Sequence, residues 1–118
     1  MPIRNAIASL AVRDLGASLS WYERLLGRPA DSRPMAELGE WKFERGGWLQ
    51  VYQGAERAGS GSVTLAVTSL EEQISAIRDA GMDPGEPIIS EKVKVVMIKD
   101  PDGNSIAFAE ALDPTIAQ

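Results

Sequence analysis

The chain has 118 residues, 44% hydrophobic and 25% charged, which is the make-up of one ordinary folded domain rather than a disordered or fibrous chain. It contains no Cys and no His, so disulfides, thiolate nucleophiles, Cys-based zinc or iron–sulfur sites and imidazole acid–base chemistry are all excluded. A formal net charge of -5 disfavours nucleic-acid backbones and anionic membrane surfaces and mildly favours a cationic or neutral ligand, although an acidic surface also simply keeps a small domain in solution.

Ile3 to Val12 alternates loosely with Ile, Leu and Val and predicts a first, buried strand. Asp14 is placed to cap a helix whose apolar stripe is Leu15, Leu19, Tyr22 and Leu26, and Gly27 is placed to end it. From Pro29 to about Leu38 two prolines predict an irregular or edge strand. Glu40 to Arg45 alternates aromatic and charged residues, with Trp41 and Phe43 on one face and Lys42 and Glu44 on the other. Gly46-Gly47 supplies a turn, and Trp48 to Gln53 forms the next strand.

After the glycine-rich stretch Gly54 to Gly61 the order of signals starts again. Ser62 to Thr68 reads as a strand, and Ser69-Leu-Glu-Glu72 as a capping box in which the Ser69 hydroxyl and the Glu72 carboxylate each meet a free backbone donor. Leu70, Ile74 and Ile77 form the helix stripe and Gly81 ends it. Pro84 to Ser90 is a second weak strand, Val93 to Lys99 a strong one, Asp100-Pro-Asp-Gly103 a tight turn and Ser105 to Glu110 the last strand. The tail from Leu112 to Gln118 reads as frayed.

The second half also echoes the first in its letters. Leu10-Ala-Val-Arg-Asp-Leu15 returns as Leu65-Ala-Val-Thr-Ser-Leu70, and Gly46-Gly-Trp-Leu-Gln-Val-Tyr52 is answered by Asp102-Gly-Asn-Ser-Ile-Ala-Phe108. The chain is therefore read as a single domain, 1–118, of two tandem β-α-β-β-β modules, 1–54 and 61–111, joined by a linker at 55–60. No apolar run approaches a membrane span, and Met1-Pro-Ile-Arg-Asn5 lacks a signal-peptide core, so no membrane partner and a cytoplasmic location are expected.

The chain resembles the glyoxalase, bleomycin-resistance and extradiol-dioxygenase group, the vicinal oxygen chelate superfamily. The resemblance is carried by Val12-Arg-Asp-Leu15 leading into a helix with Trp21-Tyr22 and Leu26-Gly27, and by Asp100-Pro-Asp-Gly-Asn-Ser-Ile106. It implies an α+β fold in which the two modules form a curved, mixed-sheet cup that holds a ligand, and a homodimer. It also implies a metal held by His, Glu or Gln from the first and fourth strands of each module. Those positions fall on Ile7, Ser62, Gln50 and Ala107 here, where Ile and Ala offer no donor and Gln50 alone is no metal site. The expectation is accordingly no metal and no cofactor, and a protein that sequesters a small aromatic or cationic organic ligand, as the bleomycin-resistance branch does.

The expected ligand contacts are Trp48, Gln50 and Tyr52 on one strand face, with Trp41, Met97 and Ser62. Two aromatic walls around an amide suit stacking, cation–π contact and a hydrogen bond; the same residues equally fit a core or a dimer interface. Trp41 and Phe43 either cover the cup mouth or pack beneath the helix, and Met97 is either an apolar wall or core. The alternative is an enzyme of the lyase, isomerase or dioxygenase kind that uses a carboxylate base, Glu37 or Glu44, or an unforeseen metal. Glu40 clusters with those two carboxylates, and Asp100, Asp102 and Asn104 read as turn residues rather than ligands.

Overall fold

The computed structural model describes residues 2–118; Met1, the first residue of the expected first module, lies outside them. The element order is β1 Ile7–Val12, α1 Leu15–Leu26, β2 Ser32–Met35, β3 Leu38–Lys42, β4 Trp48–Gln53, β5 Ser62–Ala66, α2 Leu70–Asp79, β6 Ile88–Ile89, β7 Val93–Lys99 and β8 Ser105–Ala111. They form two four-stranded mixed sheets ordered β1-β4-β3-β2 and β5-β8-β7-β6, with β1 parallel to β4 and β5 parallel to β8. This is the α+β architecture of the expected cup. The proline-marked stretches give the shortest edge strands, four residues in β2 and two in β6.

Each helix starts and stops where local chemistry dictates. The Asp14 carboxylate accepts from the Ala17 amide, and Gly27, at φ 77°, ends α1 in the left-handed region. The buried stripe of α1 is Leu15, Ser18, Leu19, Tyr22 and Leu25, so the three-residue step from Tyr22 brings Leu25 inward and leaves Leu26 at the margin. Ser69 caps α2 by accepting from Glu72, and the first-turn amide of Leu70 is met at 2.7 Å by Glu110 of β8. The equivalent amide at the start of α1, Leu15, is met by Gln53 of β4 at 3.1 Å. In both modules, then, the last strand reaches back to cap the helix.

A single core lies between the helices and the sheets. It joins Leu10, Val12, Tyr22, Leu49 and Val51 of the first half to Leu70, Ile77, Val96, Ile106 and Phe108 of the second. Trp41 belongs to it as well, which removes Trp41 from the expected ligand contacts. The residue opposite it on β4 is the buried Leu49, so its side chain goes under α1. There it is fully buried, its ring centroid lies 6.0 Å from that of Tyr22, and its indole N–H donates to the Arg28 carbonyl at 3.0 Å.

The modules are also tied by a buried polar joint. The Tyr22 hydroxyl donates to Asp100 at 2.7 Å, and the Asn104 amide donates to Asp100 and to the Ala11 carbonyl, each at 2.8 Å. The Asn104 side-chain oxygen Oδ1 accepts from the Gly61 amide at 2.9 Å. Burial, followed by the bond to Asp100, raises the Tyr22 hydroxyl far above the ordinary tyrosine range and keeps it a neutral donor. The Asp-Pro-Asp-Gly segment is the tight turn the sequence predicts, and in addition its Asp100, with Asn104 just beyond it, fastens the second module to α1 and β1 of the first.

Candidate functional site

Strand β4 runs between β1 and β3, and its alternation decides what the first sheet shows on the side away from α1. Leu49 and Val51 are buried under the helix, so Trp48, Gln50 and Tyr52 point to the opposite side, the concave face of the expected cup, where all are half-buried. The register adds neighbours to each. Ile7 and Lys42 flank Trp48, Ser9 and Glu40 flank Gln50, and Ala11 and Leu38 flank Tyr52.

The middle row is a continuous hydrogen-bonded line across the sheet, because Ser32 of β2 pairs with Glu40 and extends it. The Ser9 hydroxyl donates to Gln50 Oε1 at 3.0 Å, Gln50 Nε2 donates to Glu40 Oε2 at 2.7 Å, and the Ser32 hydroxyl donates to Glu40 Oε1 at 2.9 Å. A carboxylate can only accept, so the amide nitrogen of Gln50 must face Glu40, which fixes the direction of the whole line. Every donor points toward Glu40, which is only 7% exposed. Each of its oxygens accepts one neutral donor and keeps a further lone pair.

The row above is aromatic and charged. The Lys42 ammonium lies over the Trp48 ring, 4.6 Å from its centroid, in a cation–π contact. The row below is apolar. Tyr52 also borders a shallow, open hollow lined by Gly54, Ala55, Glu56 and Arg57, which does not reach Gln50 or Trp48. A second hollow of 340 Å³, lined by Ser20, Glu23, Arg24 and Arg28, lies at the end of α1 and shares no residue with the concave face.

The concave face of the second sheet carries hydroxyls and one lysine but no carboxylate, amide or aromatic ring. Val63, Leu65, Ile106, Phe108 and Val96 go to the core, which leaves Ser62, Thr64, Ala107, Ala109, Val95 and Met97 on the other side. Met97 is 47% exposed and pairs with Ala107, so it is a wall of this face and not a core residue. The structure thus brings Trp48, Gln50 and Tyr52 together and puts Met97 and Ser62 on the concave face of the other sheet.

Glu40 is the carboxylate the expected contacts missed. Glu37 and Glu44 lie exposed in the turns on either side of β3, and Glu40 alone of the three stands on the strand, opposite Gln50. Its signal was the alternation of β3: with Trp41 committed to the core, Glu40 and Lys42 must take the opposite face.

The metal implied by the family resemblance does not fit these residues. Ile7 and Ala107 have no donor atom, and both ends of the Gln50 amide are engaged within the sheet. Among the described residues no three of His, Cys, Asp and Glu come together. Hard cations need about six oxygens, and zinc sites need three or more protein ligands. The chemistry this face offers is a carboxylate acceptor, two half-buried aromatic rings and an exposed ammonium.

Among solved structures, a glyoxalase/bleomycin resistance protein from Catenulispora acidiphila is 34% identical, over 90% of this chain and 96% of that one, with a TM-score of 0.83. An antibiotic binding protein from a Streptomyces species is 18% identical over 94% of this chain and 98% of that one, with a TM-score of 0.79. A bleomycin resistance determinant encoded on the transposon Tn5 is 18% identical over 94% of this chain and all of that one (100%), with a TM-score of 0.78. At that identity the last two show the fold alone. No family model matches the chain, and no curated protein sequence does.

Proposed function

The chain belongs to the glyoxalase/bleomycin-resistance family of the vicinal oxygen chelate superfamily, and on that premise we propose that it binds and sequesters a small aromatic or cationic organic molecule without a metal. The observation that carries this reading is the line Ser9–Gln50–Glu40–Ser32 on the concave face, flanked by Trp48 and Tyr52. It presents a fixed acceptor between two aromatic surfaces, which is what orients an organic ligand, and it needs no catalytic group. Sequestration protects by affinity and stoichiometry alone.

The same reading includes a homodimer, in solution in the cytoplasm. Ile7, Met97 and Ile88 leave 57%, 47% and 67% of their surface exposed, and the register places each of them on a concave face. A second copy facing these sheets across the cup shields that apolar surface from solvent and closes the cup around the ligand space. No helix among the described residues is long and apolar enough to cross a membrane, and the acidic charge gives no footing for nucleic acid.

A thermal-shift screen of aromatic and cationic compounds, bleomycin among them, tests the reading directly. At least one compound raises the melting temperature saturably, and dialysis against a chelator leaves the shift unchanged. No shift with any compound, or a shift lost with the chelator and restored by a divalent metal, overturns it. The alternative enzyme now rests on Glu40 rather than Glu37 or Glu44, and chemical turnover abolished by Glu40→Gln would replace the binding reading with it.

A further inference from the structure

Two charges on the first concave face are out of their ordinary balance. Glu40 is a buried carboxylate whose partners are two neutral side chains, Ser32 and Gln50. Buried carboxylates are ordinarily matched by a cation. Lys42, one step along the same face, is an exposed ammonium that belongs to neither of the two ion pairs of the described residues, Arg13–Asp102 and Arg28–Asp31. It lies instead against the Trp48 ring.

We propose that this face recognises an organic cation, a quaternary or protonated nitrogen on a small flat body, through the Trp48 ring and the Glu40 carboxylate, and that Lys42 holds the cation's place in the free protein. The proposal rests on the binding reading above and names the charge of its ligand. A ring that holds a tethered ammonium holds a free one by the same force. A primary ammonium is strongly hydrated and gives up much of its solvation to reach a ring, whereas a substituted nitrogen spreads its charge over alkyl groups and gives up less. The ligand therefore displaces Lys42, whose flexible stem returns the ammonium to water. Rows on one strand face lie about 7 Å apart. A small cation over Trp48 is then within electrostatic reach of Glu40, and the spare lone pairs of that carboxylate take any N–H it carries.

The test uses the full-length protein and a matched pair of probes, (4-hydroxyphenyl)trimethylammonium and its neutral isostere 4-tert-butylphenol, titrated by calorimetry. The native protein binds the cation about tenfold or more tightly than the phenol, and Glu40→Gln and Trp48→Ala each abolish that preference. Lys42→Gln, a change at an exposed side chain, tightens the cation about two- to fivefold and leaves the phenol unchanged. If the phenol binds as well as the cation, or if Lys42→Gln weakens the cation, the inference fails while the binding reading stands. If neither probe binds and the thermal-shift screen is also empty, both fail together.

Discussion

On their helix sides the two modules match position for position, and on their concave sides they do not. Leu10 and Leu65 both face the core, Val51 is answered by Phe108, and Gln53 and Glu110 each cap the helix of their own module. Across the sheet from those positions, Trp48, Gln50 and Tyr52 are answered by Ser105, Ala107 and Ala109. The core side is held by packing, where a change of one methylene is felt. The concave side carries no such constraint, and there one module has a carboxylate acceptor, an amide and two aromatic rings while the other has small side chains beside Met97 and Ile88.

The largest effect that separates the sides comes from the two tryptophans of the first sheet. Trp41→Ala empties a fully buried site under α1 and loses about 3–5 kcal/mol of stability, read from urea denaturation. Trp48→Ala removes a half-buried ring from the open side and costs under about 1 kcal/mol. Equal losses at the two sites would mean that the concave face is itself packed, and would contradict the division of labour between the faces.

Next in size is the joint between modules. Tyr22→Phe removes one of the donors that hold the buried Asp100 and lowers stability by about 1–3 kcal/mol. The unfolding transition should remain single and lose midpoint without losing slope. A transition that splits in two would show that the modules unfold separately once the joint is cut.

Smaller still is the difference between the two capping residues. Glu110 brings a charge to the start of α2, and Gln53 brings only a dipole to α1. Glu110→Gln is expected to cost about 0.3–1 kcal/mol and Gln53→Glu to gain a similar amount, both shrinking at high salt. Identical effects at low and high salt would assign the caps to hydrogen bonding alone.

How much of this was legible depended on the range of the interaction. The capping residues and the period-two strands are local, and they placed the helix starts and most of the strands. The internal echo set the order of elements but ran one residue out of step in the last strand, where Trp48 corresponds to Ser105 and not to Asn104. The α1 stripe slipped only at its end, from Leu26 to Leu25. Met97 was ambiguous because β7 is apolar on both faces, so periodicity offered no choice between wall and core. Trp41 was ambiguous until β3 was paired with β4, and with it the face of Glu40. The contacts of Asn104 join residues 93 positions apart, which no local pattern records.

The smallest effect is the most informative about the second face. Ala107 stands where Gln50 stands in the first module, and Ala107→Gln recreates the amide on a sheet that lacks the acceptor. Its neighbours on that face are Thr64 and Met97, and Met97 is exposed, so the longer side chain has room to extend between the sheets of a cup. Ala107 itself is buried, at 9% exposure, but the flexible and exposed Met97 beside it gives way, so a change within about 0.5 kcal/mol is expected. A loss of about 2 kcal/mol or more, with a dimer that falls apart on dilution, would mean that this face is filled by the partner copy rather than left open to a ligand. In that case the asymmetry between the modules would divide binding from assembly, with the first sheet keeping the ligand and the second keeping the dimer.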